Sequence, residues 1–166
     1  MELDKGKEQF IECWTSMGSS WGINRTMAQI HAFLMASSRP MNTDEIMKGL
    51  SISRGNVNMN VRNLMEWGLV SKSTPNGGRK EYFEADKDVW QAARKMINMR
   101  RQTELEPVVG VLKGLRKVEG EGKEAEEFRD MMKSMYKLAN RTNKALVRLE
   151  KNQDSAVLSV LSKMLK

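Results

Sequence analysis

Along most of this chain the apolar residues recur every three or four positions, and only between Gly68 and Asp86 does that rhythm stop. Such periodicity confines the chain to helices with one place for strands. There, residues 69–73 and 80–85 are short runs carrying Val, Tyr and Phe, separated by Thr74-Pro75-Asn76-Gly77-Gly78-Arg79. Pro, Asn and Gly supply the backbone angles of a tight reversal, so the segment predicts a β-hairpin with a basic tip.

The helices on either side announce their ends. Phe10, Trp14, Met17 and Trp21 form a seam that Gly22 interrupts. Asn24 is placed to cap a second helix carrying Met27, Ile30, Phe33 and Leu34. After the break at Pro40, Asn42 and Glu45 have the spacing of a capping box opening a short helix to Leu50. Ser51 and Ile52 make a turn, and Ser53 can cap a helix over residues 54–67 that Gly68 ends. Asp86 is the expected cap of a longer helix, with Val89, Ala93, Met96 and Ile97 inward, that Pro107 kinks or ends. Beyond Gly120 and Gly122, the residues Phe128, Met131, Met135, Leu138, Thr142, Ala145 and Leu149 keep near-heptad spacing, and residues 157–165 form a last amphipathic segment.

At 166 residues the chain suits one compact domain, or a small domain extended by helices that seek a partner. Its formal charge of +7 favours a polyanionic partner, but placement matters more than the total. Residues 51–80 carry Arg54, Arg62, Lys72, Arg79 and Lys80 against Glu66 alone. A single cysteine, Cys13, rules out an internal disulfide or a thiolate zinc cluster. No apolar run reaches the ~18 residues of a membrane span and the N-terminus lacks a signal core, so a cytoplasmic protein is expected. His31 is the one histidine, on an apolar helix with no nucleophile or paired carboxylate in a recognisable motif. No catalytic residue, metal site or cofactor is expected.

Helix, helix, turn, helix and hairpin between Asn24 and Ala85 is the order of a winged helix-turn-helix. The geometry has a purpose: a major groove about 12 Å wide admits one helix, and a hairpin beside it reaches the flanking backbone. The helix that would enter holds Asn56, Asn58, Asn60 and Asn63, each costing up to ~0.7 kcal/mol relative to Ala in helix propensity. A purely structural helix has no use for them, whereas Asn pairs bidentately with adenine and Arg with guanine. With Val57, Val61, Leu64 and Met65 as the buried stripe, Gly55, Met59, Arg62 and Asn63 point outward, with Asn56, Asn58 and Asn60 on the flanks.

The run Ser-Arg-Gly-Asn-Val-Asn-Met-Asn-Val-Arg-Asn-Leu-Met-Glu-Trp-Gly-Leu-Val at 53–70 resembles the recognition-helix signature of GbsR-type regulators, a branch of the MarR-like family. Trp-Gly-Ile-Asn-Arg-Thr-Met-Ala-Gln-Ile-His-Ala at 21–32 and Gly-Arg-Lys-Glu-Tyr-Phe at 78–83 fit as well, so the resemblance spans Trp21 to Glu106. It implies a homodimeric transcriptional regulator, with Ser53, Arg54, Asn56, Asn58 and Arg62 facing double-stranded DNA and Arg79 and Lys80 on the wing. It also points to quaternary-ammonium effectors of the choline or betaine kind. Such a cation needs a cage of aromatic faces, for which Trp14, Trp21 and Trp90, with Trp67 and Tyr82, are the candidates. The competing reading places Trp14 and Trp21 on a helix seam and Trp67 at a helix end, with no effector.

The expected fold is therefore mostly α with a small β-hairpin wing, a winged helix-turn-helix flanked by N- and C-terminal dimerisation helices. Its parts are residues 1–22 as an N-terminal dimerisation helix, 23–86 as the DNA-binding domain, and 87–166 as a linker helix and C-terminal dimerisation region. Phe10, Trp14 and Met17 at one end, and Met131, Met135 and Leu138 at the other, would join two subunits that read a palindromic operator. Most methionines, including Met27, Met65, Met96, Met131 and Met135, also suit core filling. A different class stays open: a winged-helix module whose basic face docks an acidic protein and ignores DNA.

Overall fold

A computed structural model describes residues 1–20, 22–74 and 79–151, and within them the chain divides into two compact units, Met1–Ala92 and Ala93–Lys166. The segment 157–165 and Trp21 lie outside the described residues.

The first unit opens with α1 (Leu3–Ser20) packed on α2 (Arg25–Ala36). Gly22 ends the connection at φ +76°, a left-handed conformation that side chains resist. Asn24 then caps α2, its side-chain oxygen accepting from the Met27 amide at 3.2 Å. The α1 seam is only half-buried at Phe10, Trp14 and Met17; the fully covered positions are Thr15 and Gly18. Small residues let the two helix backbones approach.

Next come β1 (Met41–Asn42), α3 (Thr43–Leu50) and α4 (Arg54–Glu66). The capping box at Asn42 is complete: its side chain accepts from the Asp44 and Glu45 amides, and Glu45 accepts from the Asn42 amide at 2.8 Å. Ser51 adopts φ +53° in the turn, Ser53 caps α4, and Gly68 at φ +68° follows it.

The hairpin strands β2 (Val70–Ser73) and β3 (Tyr82–Ala85) pair antiparallel, Val70 opposite Ala85 and Ser73 opposite Tyr82. The sequence does not announce β1, which adds a third strand on the other side of β3 with Met41 opposite Phe83. Phe83 and Ala85 point from β3 into a core made of Ile30 and Leu34 of α2, Ile46 of α3, Val57, Val61 and Leu64 of α4, and Leu69. All three helices and the sheet are thus bound to one apolar centre, which fixes the angle of α4 against the hairpin.

The long helix departs from expectation at both ends. Asp88 rather than Asp86 caps α5 (Val89–Arg100), accepting from the Gln91 amide at 2.9 Å, while Asp86 accepts from the Asp88 amide. Val89 and Ile97 are half exposed; Ala92 and Met96, one turn apart, are the buried pair. Pro107 does not end the helix. A π-helical turn over Arg101–Leu105 widens the backbone ahead of it, and α6 (Glu106–Leu115) continues with Pro107 in its first turn, where the missing N–H costs nothing.

Arg101 is buried in that turn. Its guanidinium donates to Asn98 (2.9 and 3.0 Å), Glu106 (2.5 Å) and Asn143 (3.0 Å). After the bend at Gly120 and Gly122, α7 (Lys123–Lys151) returns along α6, with Arg129 donating to the Val118 and Gly120 carbonyls and Arg116 lying 3.8 Å above the Tyr136 ring. Leu112 and Met132 are buried between these helices, whereas Met131 and Met135 are exposed and fill no core. The packed stripe of α7 lies one residue further round than the most regular apolar spacing indicates.

Candidate nucleic-acid interface

α4 presents one face to solvent. Ser53, Arg54, Asn56, Asn58, Met59 and Arg62 are exposed and Asn63 is half-buried, so the positions expected to meet a ligand lie together on the outer side of one helix and its cap. Val57, Val61 and Leu64 hold the opposite side in the core. Asn60 is the exception: expected on a flank, it is 1% exposed, and its amide nitrogen donates at 2.8 Å to the Asn56 carbonyl one turn back. Asn60 faces inward because it falls three residues after Val57 and four before Leu64, within the buried stripe.

The N-terminus of α4 is set by Ser53, whose hydroxyl accepts from the Asn56 amide. Arg54, the first helical residue, pairs with Asp44 of α3. Asp44 is an acid in the first turn of α3, and its pairing with Arg54 exists only because the turn at Ser51 brings the two helix starts together. Arg62 has no ion-pair partner among the described residues and stands exposed on the outer face.

On the hairpin, Lys72 of β2 pairs with Glu81 at 2.8 Å, and Arg79 and Lys80 are exposed next to the tip at residues 75–78, which lies outside the described residues. Glu45 is held below the usual carboxylate range, first by its hydrogen bond from Arg39 and then by the Asn42 amide, with the Lys80 charge adding to the effect. Glu45 therefore remains an anion near the base of the hairpin and offsets part of the local positive charge.

His31 is buried on α2 with its ring 5.8 Å from that of Trp14. Burial pushes its imidazole down to about 4, against a smaller upward influence from Asp86, so the ring is neutral at neutral pH. Nothing in that setting exposes it to a substrate. Trp14 also lies tilted against Phe10, with ring centroids 5.7 Å apart, an arrangement within a helix seam; Trp90 is half exposed on α5 and Trp67 forms the C-cap of α4. Cys13 is exposed on α1. Among the described residues no cluster of His, Cys, Asp or Glu could hold a metal ion, and no helix is long and apolar enough to cross a membrane.

A helix with a polar outer face, packed through a helix-turn-helix onto a three-stranded antiparallel sheet, defines a winged-helix fold. A crystal structure described as that of a transcriptional regulator shares it, with a TM-score of 0.57 at 21% identity over 89% of this chain and 99% of that one. Lower similarity links the chain to the ST1889 protein from the thermoacidophilic archaeon Sulfolobus tokodaii (TM-score 0.41, 20% identity, 64% of this chain and 99% of that one) and to apo MarR from E. coli (0.40, 14%, 80% and 90%). No protein-family model matches the chain, and no curated protein does.

Proposed function

We propose that this protein is a sequence-specific, double-stranded-DNA-binding transcriptional regulator of the GbsR-type, MarR-like kind, acting as a homodimer without catalysis or cofactor. The observation that carries the reading is the exposed Ser53, Arg54, Asn56, Asn58, Met59, Arg62 face of α4, backed by a rigid core and flanked by a basic hairpin. Asn and Arg are the side chains whose paired donors and acceptors match adenine and guanine edges in the major groove. In this reading α4 lies in that groove, with Asn63 at its edge, and Arg79 and Lys80 rest on the adjacent phosphates. The half-buried Phe10, Trp14 and Met17 and the exposed Met131, Met135 and Leu138 join two subunits.

Selection of bound duplexes from a random pool tests it. The expected product is a palindrome with half-site centres ~34–36 Å apart, or a whole number of helical turns. For a dimer neutralising about eight phosphates, log K falls with log salt at a slope near −7. No enrichment of any sequence together with a flat salt response would refute DNA binding and leave the reading of a module that docks an acidic protein.

A further inference from the structure

α7 carries two apolar stripes on adjacent faces. One is occupied: Met132 is buried, Tyr136 lies under Arg116, and Asn143 is held by Arg101, all against α6 and the π-helical turn of the same unit. The other is Phe128, Met131, Met135, Leu138, Thr142 and Ala145, at spacings of three and four throughout, and every member is exposed, Leu138 to 70%. A stripe sustained over more than two heptads on an otherwise charged helix is a seam for another helix.

Charge identifies the occupant. The start of α7 carries Glu124, Glu126, Glu127 and Asp130, and its second half carries Lys137, Arg141, Lys144 and Arg148. Local cations moderate the acids, since Lys123 lies 3.8 Å from Glu127 and Lys133 2.8 Å from Asp130, yet the four acids still outnumber Lys123 and Arg129 in the first eight residues. Glu150, the acid of the second half, is turned to Asn98 of its own unit. A second α7 lying parallel would set acid beside acid and base beside base. Turned antiparallel, each acidic start meets a basic end, and the helix dipoles agree.

Side-chain volume selects the register. Setting Phe128 against the partner's Ala145 puts Met131 against the partner's Thr142 and Met135 against the partner's Leu138, so bulk meets space at both ends. A parallel pair would stack phenylalanine on phenylalanine at one end and leave alanine facing alanine at the other. In the antiparallel register Glu127 comes within two residues of level with the partner's Arg148, about 3 Å along the axis and on the same flank of the seam.

We infer that the exposed stripe of α7 is the contact between two copies of this chain, with the helices antiparallel and Phe128 opposite Ala145. The inference rests on the homodimer reading and adds its geometry. It is tested in the full chain carrying Cys13→Ser, with spin labels at Lys137→Cys or Lys123→Cys and distances read by pulsed electron resonance. At 1.5 Å per residue, the antiparallel register puts the labels at 123 about 40 Å apart or more and those at 137 within about 25 Å. Glu127→Arg should weaken the dimer about fivefold, and adding Arg148→Glu should restore it. Short distances at both positions, a long distance at 137, or a dimer indifferent to Leu138→Asp overturns the inference while the homodimer stands. A monomer in sedimentation at every concentration overturns the homodimer itself.

Discussion

The guanidinium of Arg54, the first residue of α4, is paired with the carboxylate of Asp44 in the first turn of α3. Both side chains are more than half exposed, so the pair adds at most about 1 kcal/mol to stability. Its consequence for binding is larger in kind. Arg54 sits at the edge of the face proposed to meet DNA, and Asp44 both competes with a phosphate for it and adds a negative charge to the approach. Asp44→Asn is expected to tighten binding two- to fivefold at low salt, the equivalent of about 0.5–1 kcal/mol, with the gain fading as salt rises. Titration by fluorescence anisotropy at two salt concentrations checks this. Weaker binding would mean that Asp44 positions Arg54 for its contact.

The asparagines of α4 should separate into two groups. Asn56 and Asn58 are exposed, so Asn56→Ala and Asn58→Ala should hold or slightly raise the melting temperature, since Ala is the better helix former, while each costs about 1–3 kcal/mol of operator affinity and relaxes one base preference. Asn60 is buried, its amide spent on the Asn56 carbonyl and its own oxygen without a hydrogen-bond partner among the described residues. Asn60→Leu should leave the base preference intact and change stability by less than about 1 kcal/mol, because the lost hydrogen bond is offset by removing an unsatisfied buried oxygen. Thermal melts and operator titrations of the three variants make the comparison; a shifted base preference in Asn60→Leu would place that residue in recognition after all.

These differences show what a sequence makes legible. Caps at Asn24, Asn42 and Ser53 can be read directly because the oxygen and the amide it serves lie within three residues. Pairings across the chain cannot: β1 is a strand only because Phe83 and Tyr82, some forty residues later, lie beside Met41 and Asn42. Two aspartates compete at the start of α5, and spacing does not say which caps. Pro107 reads as either a kink or a stop, since the preceding π-helical turn that lets the helix continue leaves no compositional trace. On α7, the periodicity locates an apolar seam but not which of two neighbouring stripes meets its own subunit. Met131 and its neighbour Met132 are alike in the sequence, yet only Met132 is buried.

His31 predicts how stability should respond to acid. Its folded imidazole titrates at about 4, below the ordinary 6.5, so between those values the unfolded chain binds the extra proton and the folded chain does not. Stability is full above pH 6.5 and declines as the pH falls towards 4, by about 2 kcal/mol at pH 5 from this group alone. Urea unfolding at pH 7 and pH 5 should show the loss, and a neutral isostere, His31→Gln, should remove most of it even where the variant is less stable overall. An equal pH dependence in His31→Gln would mean that other groups carry the acid response.

A last expectation concerns the contact of α1 with α2. A Cβ on Gly18 would stand 2.8 Å from the Ala28 methyl, closer than real Cβ atoms come, and that methyl is fixed to a helix backbone with no torsion to swing it aside. Elsewhere in a helix, Gly→Ala gains up to about 1 kcal/mol from propensity. At Gly18 the overpacking cost of about 1–3 kcal/mol should exceed that gain, so Gly18→Ala should lower the melting temperature. Gly55, on the open face of α4, has no atom within 4 Å of a built Cβ, and Gly55→Ala should raise the melting temperature slightly. Differential scanning calorimetry of the two variants gives opposite signs if α1 lies against α2 through these small residues; two increases would show that α1 sits further from α2 than the Gly18–Ala28 contact requires.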